Sequence, residues 1–303
     1  MEYCLTTYNL AKSYGRKPVL RNVNMHVERG AIYGFVGKNG SGKTTLIRCV
    51  TGLQRPTSGS YELFGVSDSD GASARVRKRI AAIVETPSVY PSLSAKDNML
   101  MQCEILGIAD TRRVADILDY VGLSYTDTKK VAKYSLGMRQ RLGIALALVG
   151  GPDLIILDEP VNGLDPQGIV EIRELILRLN REKNMTVVIS SHILGELSKL
   201  ATHYGFIDAG SIVKEISAKE LADKCRKSIY VEVDDIKAFS CAMQSRGIEH
   251  RVASDRSAEI YGDITVTELV ALLSGYGCSL RAVREQDEDL ERYFLDLIGG
   301  ERS

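Results

Sequence analysis

The 303-residue chain has no excess charge of either sign, no long uninterrupted apolar run, and no clustered cysteine or histidine. Lysine plus arginine number 39 and aspartate plus glutamate number 39, so the formal net charge is zero. That balance lacks the electrostatic footprint of a dedicated nucleic-acid binder. It also lacks the basic surplus that holds a protein to anionic lipid by charge alone. The most apolar tract, residues 144–157, is broken by Gly150, Gly151, Pro152 and Asp153. It falls short of the ~20 residues that a membrane-spanning helix needs. The opening MEYCLTTYNL has no basic region followed by an apolar stretch, so no secretory signal is expected. Cys4, Cys49, Cys103, Cys225, Cys241 and Cys278 are scattered without a C-x-x-C pair and read as reduced, mostly buried small hydrophobes. His26, His192, His203 and His250 show no metal-ligand spacing, which argues against a zinc site. Internal repeats and low-complexity segments are also absent.

What is present is enough apolar matter for a real core: 44% of residues are hydrophobic and 26% charged. Periodicity predicts strands at 3–8, 19–27 and 31–36, the last a buried run ending at a glycine-rich turn. A helix over about 42–51 and strands near 61–64 and 80–85 follow. Ser94 with Asp97 three residues on opens a helix through a capping box. Further helices are predicted over 112–121 and 135–149. Residues 154–157 and 186–190 are continuous apolar runs, as expected of parallel strands covered on both faces. The helical segment 167–182 between them is the crossover such strands require.

A short helix at 218–224 precedes a different unit. It reads strand 229–233, helix 236–245, strands 248–253 and 258–262, helix 265–274, strand 279–284 and a closing helix 289–298. That β-α-β-β-α-β order is the split βαβ pattern. Two domains are therefore expected, 1–225 and 226–303.

Gly37-Lys38-Asn39-Gly40-Ser41-Gly42-Lys43-Thr44 fits G-x-x-x-x-G-K-[ST] between a buried strand and a helix. The glycines let backbone N–H groups turn inward around phosphate oxygens, and the helix N-terminus adds partial positive charge. In this pattern Lys43 reaches the β- and γ-phosphates and the Thr44 hydroxyl ligates Mg²⁺. The run Leu154-Ile155-Ile156-Leu157-Asp158-Glu159 is an apolar strand that delivers carboxylates beside the phosphate loop. Side chains alternate along a strand, so Asp158 and Glu159 should diverge, Asp158 toward Mg²⁺ and Glu159 toward the attacking water as general base.

The order of motifs over about residues 1–215 resembles the ABC-type ATPases, the nucleotide-binding subunits of ABC transporters. Tyr134-Ser135-Leu136-Gly137-Met138-Arg139-Gln140-Arg141 sits where that family carries its L-S-G-G-Q signature. Asn162-Gly163-Leu164-Asp165 matches its D-loop, His192 its switch histidine, and Tyr14 the aromatic that stacks on adenine. The resemblance implies an α/β P-loop NTPase of ABC type: a mixed sheet core with antiparallel β and helical subdomains, the helical one at about 90–150. A small α+β C-terminal domain completes the chain.

The resemblance further implies ATP and Mg²⁺ as ligands and an ATP site formed by Tyr14, residues 37–45 including Lys38, Asn39, Ser41 and Thr45, and, from a second copy, Ser135 and Gly137. Catalysis falls to Lys43, Glu159 and His192, metal binding to Thr44, Asp158 and Glu85, and coupling to Glu85 and Asp165. Two copies are expected to sandwich two ATP molecules head to tail. The partner is a separately encoded membrane permease, whose cytoplasmic loop docks on the helices between Ser94 and Val121, with no nucleic-acid partner. A cytoplasmic location on the inner face of the cell membrane follows. The alternative is a soluble ABC ATPase of translation or DNA repair, and the single phosphate loop and balanced charge oppose it.

Two departures from the family pattern stand out. Leu136 and Met138 replace the first signature glycine and the glutamine, and Glu85 replaces the usual Q-loop glutamine. That glutamate, with residues 90–98 and the tail 289–297, resembles the subgroup serving bacitracin-type and lantibiotic-type self-protection exporters, so a peptide antibiotic or similar amphipathic compound is the expected cargo. The basic stretch Arg75-Val76-Arg77-Lys78-Arg79 is expected to be a solvated face. Residues 99–103 are expected to pack inside the helical subdomain.

Overall fold

The computed structural model describes residues 2–124, 126, 128–224, 228–262, 264–286, 293 and 297. The chain divides into two compact units, Met1–Ala218 and Lys219–Ser303. The boundary expected at 225/226 lies outside the described residues, as does most of the expected closing helix 289–298.

In the first unit, β1 (Tyr3–Tyr14), β2 (Lys17–Glu28), β4 (Ser58–Leu63) and β5 (Val66–Ser67) form an antiparallel sheet in the order β2-β1-β4-β5. A second, six-stranded sheet runs β10-β9-β3-β8-β7-β6. Its strands are β3 (Ile32–Val36), β6 (Ile80–Ile83), β7 (Leu154–Asp158), β8 (Thr186–Ser191), β9 (His203–Asp208) and β10 (Ser211–Ser217). All pairings are parallel except that of β10 with β9, which makes the sheet mixed. Every residue of β3, β7 and β8 is buried, which is why these strands read as continuous apolar runs.

Helix α1 (Lys43–Val50) follows the glycine-rich turn, and its Leu46, Ile47, Cys49 and Val50 share one core with side chains of both sheets. Tyr33, Phe35, Leu154, Ile156 and Ile207 belong to that core. Burying a side chain of the Phe35 class contributes about 1.5–3 kcal/mol. Burial also pushes the Cys4 thiol up to about 11, so it stays protonated within the core.

Helices α3 (Ala95–Ile105), α4 (Arg113–Tyr120) and α5 (Leu136–Leu148) form the helical part. The predicted capping box is present: Ser94 accepts from the Asp97 N–H, and Asp97 accepts from the Ser94 N–H. Met99 and Cys103 are buried, while Leu100, Met101 and Gln102 are half-buried. Helix α6 (Pro166–Lys183) is the crossover between β7 and β8, with Asp165 as its N-cap and Pro166 in its first turn, and the short α7 (Leu194–Leu197) follows β8.

The basic stretch 75–79 is solvated only in part: Arg75 and Lys78 are exposed, while Arg77 and Arg79 are engaged. Ser73–Arg77 is a helix, α2. Arg77 donates to the Tyr61 hydroxyl at 3.1 Å, and Arg79 pairs with Asp153 at 2.5 Å and lies 3.9 Å over the Phe64 ring. The strand predicted over 80–85 stops at Ile83 because Glu85 takes a φ of +65°, outside strand geometry.

The second unit contains α8 (Ala218–Lys224), β11 (Ser228–Val233), α9 (Ile236–Ser245), β12 (Glu249–Ser254), β13 (Ser257–Tyr261), α10 (Val266–Gly275) and β14 (Leu280–Gln286). Its sheet is antiparallel in the order β12-β13-β11-β14, so β13 splits the β11-α9-β12 unit. Val231, Val233, Phe239, Met243, Ile260 and Leu269 form a separate core.

Candidate active site

Sheet order gathers the site. Strand β8 lies between β3, which feeds the phosphate loop, and β7, which ends at Asp158. The loop turns through Gly40 (φ +80°) and Gly42 (φ +112°), conformations that only glycine adopts without strain. Gly37 has no room for a side chain: a Cβ there would lie 2.5 Å from Ser41 Oγ and 2.7 Å from the Ile207 carbonyl oxygen.

Lys43 is 6% exposed. Its Nζ donates to the Gly37 carbonyl at 2.6 Å and the Lys38 carbonyl at 3.3 Å, and stands 3.3 Å from Glu159 Oε1. Thr44 Oγ1 donates to Asp158 Oδ2 at 2.7 Å, and Asp158 is 2% exposed. The other carboxylate oxygen of Asp158 accepts from Ser190 Oγ. The Glu159 N–H donates back to Ser190 Oγ at 3.0 Å.

Glu159 has a φ of +51°, and its carboxylate lies between Lys43 and His192, whose Nδ1 is 2.8 Å from Glu159 Oε2. Asp158 and Glu159 thus have different partners, Thr44 and Ser190 for one, Lys43 and His192 for the other. A groove of about 240 Å³ opens here, lined by Asn39, Gly40, Gly42, Lys43, Thr44 and Thr45 with Glu159.

Sequence reasoning missed two participants. Ser190 joins both carboxylate residues, and Val19 lines the groove together with Asn162, the first residue of the D-loop match. For Ser190 the signal was a hydroxyl near the end of a buried strand, which needs a polar partner.

Other expected site residues lie apart from the groove. Tyr14 ends β1, exposed, with its hydroxyl donating to Gln54 Oε1. Ser135 caps α5, accepting from the Met138 N–H at 3.2 Å. Neither it nor Gly137 lines the groove. Leu136 packs against the glycine of the Asn162-Gly163-Leu164-Asp165 turn, 3.4 Å from where a Cβ on Gly163 would stand. Asp165 accepts from the Gly168 N–H at 3.1 Å. Glu85 pairs with Arg48 of α1 at 2.7 Å.

The donor set fits a nucleotide triphosphate with a hard cation. Ser41 Oγ is buried with no hydrogen-bond partner among the described residues, and the Thr44 hydroxyl and Asp158 carboxylate converge as oxygen ligands. The site can therefore cradle phosphate by backbone N–H groups and Lys43, and can move a proton at Glu159.

Comparison with known proteins accords with this geometry. Residues 20–162 match the family model described as ABC transporter. The bacitracin transport ATP-binding protein BcrA of Bacillus licheniformis is 40% identical over 99% of both chains. The lantibiotic transport ATP-binding protein SrtF of Streptococcus pyogenes is 45% identical over 70% of this chain and 90% of its own. Among solved structures, the dimeric post-hydrolysis cassette MJ0796 bound to ADP and Pi superposes with a TM-score of 0.63 at 25% identity, covering 71% of this chain and 98% of that one. On phosphate loop, carboxylate strand and full-length likeness together, the chain belongs to the ATP-binding subunits of ABC transporters, and it is an ATPase.

Proposed function

We propose that this ATPase powers export of a peptide antibiotic or a similarly amphipathic compound through a separately encoded permease. The observation that carries the ATPase chemistry is the Glu159 carboxylate, which lines the phosphate-loop groove and is held between Lys43 and His192. The cargo class rests on full-length likeness to a bacitracin transport protein.

Lys43 and the phosphate-loop N–H groups bind the β- and γ-phosphates. Thr44 and Asp158 would hold Mg²⁺, which when bound neutralises charge developing on the phosphates. Glu159 takes the proton of the attacking water, and His192 holds Glu159 in place through Nδ1. Two copies close head to tail, so that Ser135 and Gly137 of each reach the γ-phosphate on the other. Glu85 is committed to Arg48 here, so we assign it to coupling ahead of the metal. Tyr14, at the end of β1, meets the adenine.

The permease docks in a groove of about 830 Å³ lined in part by Leu53, Val84, Pro87, Gln102, Leu106 and Leu146. Leu53 is 65% and Leu106 48% exposed, apolar area that an amphipathic helical loop would cover. No helix among the described residues is long and apolar enough to cross a membrane, so attachment to the bilayer is left to the permease.

Phosphate release measured with and without the reconstituted permease tests this reading. Leu53→Asp and Leu106→Asp should leave basal turnover within about twofold and abolish stimulation, since a charge buried in an apolar interface is costly. Stimulation by ribosomes or DNA in place of permease would overturn the assignment. Glu85→Gln should change stimulated turnover more than basal turnover, because it removes the negative partner of Arg48 next to the groove residues Val84 and Thr86. Equal changes in both rates would count against coupling through Glu85.

A further inference from the structure

Strand β12 is an edge of the second unit's sheet: β13 pairs with one side, and among the described residues no strand pairs with the other. An open edge presents unpaired N–H and C=O groups to any matching strand. Short length, Lys and Pro are the usual protections, and β12 has neither of the last two. Instead it exposes Val252, 48% accessible.

The side-chain pattern of this edge is self-complementary. The His250 ring meets Phe239 of α9 edge-on at 5.6 Å, so His250 and its alternates Ile248 and Val252 face the helices. Glu249 and Arg251 point to the opposite face. We propose that β12 pairs antiparallel with β12 of a second copy of this chain, about a two-fold axis at His250. In that register Glu249 lies opposite the partner's Arg251 on one face, and Ile248 opposite the partner's Val252 on the other. An axis at Glu249 or Arg251 sets like charges against each other, and an axis between residues sets each charge opposite an uncharged residue. Among these registers the one at His250 places opposite charges together twice.

The contact is isologous, as two-fold symmetry requires, and joins two four-stranded sheets into one of eight. It needs no nucleotide. Two cassettes so tethered remain neighbours after hydrolysis has opened the ATP-bound interface, which raises the effective concentration for the next closure. The proposal is independent of cargo and of the permease.

The test is sedimentation velocity on the full-length chain without nucleotide. A dimer is expected, weakened about tenfold by Glu249→Arg, which sets a second cation against the partner's Arg251 across the axis. Glu249 lies opposite the uncharged Tyr261 in its own sheet, whereas Arg251 lies opposite Glu259, so the charge is reversed at Glu249. A second measurement places His250→Cys in a Cys241→Ser background under mild oxidation. Directly opposed strand residues have Cα atoms ~4.5–5.5 Å apart, within the ~4.4–6.8 Å that a disulfide spans. A covalent dimer is expected from that variant and none from Cys241→Ser alone. A monomer without nucleotide, a dimer indifferent to Glu249→Arg, or no cross-link would each overturn the proposal.

Discussion

Glu159→Gln is expected to slow phosphate release by about 10²–10⁴-fold while ATP binding survives, the usual contribution of a positioned general base. The amide keeps the shape and can still accept from His192, but it cannot take a proton from water. Lys43 retains its hydrogen bonds to the Gly37 and Lys38 carbonyls, so the phosphate loop stays formed. Removing the carboxylate also frees Lys43 from its 3.3 Å ion pair, which favours nucleotide binding. Single-turnover phosphate release and a nucleotide dissociation constant together check this. The variant should accumulate with its ATP bound and unhydrolysed. Turnover within tenfold of wild type would remove Glu159 from the role of base.

Gly205→Ala should lower stability markedly. A Cβ on Gly205 would collide with the Tyr33 hydroxyl. Tyr33 has little freedom to move: it is 1% exposed and donates to Glu215 Oε1 at 2.6 Å. Burial first, then the Glu215 charge, push its pKa well above the usual tyrosine value, so the hydroxyl stays a donor. Glu215 also accepts from the His26 N–H at 2.8 Å and contacts His26 Nδ1 at 2.7 Å, which ties β10 to β2 of the other sheet. Overpacking of this kind costs about 1–3 kcal/mol. At ~2–4 °C per kcal/mol for a domain of this size, the melting temperature of the first unit should fall by about 2–12 °C. Tyr33→Phe in the same chain should recover part of the loss by removing the colliding oxygen. An unchanged melting temperature would mean that the strand shifts at no cost.

The site was legible where chemistry depends on sequence-local spacing. The phosphate loop, the carboxylates at the end of β7 and the capping residues of α3 each lie within a few residues of what they serve. The β-α-β-β-α-β order was legible for the same reason, since each element carries its own period. Partners brought from afar were not. Arg48 meets Glu85 across 37 positions, and Ser190 meets Asp158 across 32, and no periodicity records either meeting. Strands β9 and β10 also escaped notice. Part of β10 is half-exposed and irregularly patterned, and β9 owes its place to β3, far back in the chain. Within the basic run at 75–79, the engagement of Arg77 and Arg79 was not legible because their anchors, Tyr61, Phe64 and Asp153, lie on other elements.

The position of β8 between two site-bearing strands limits how this stretch can diverge. Its pleat alternates, so inserting or deleting one residue within Thr186–Ser191 would turn Ser190 away from Asp158 and redirect His192. Side chains there can drift as long as the strand keeps its length, and gaps between relatives should fall in the connecting loops instead.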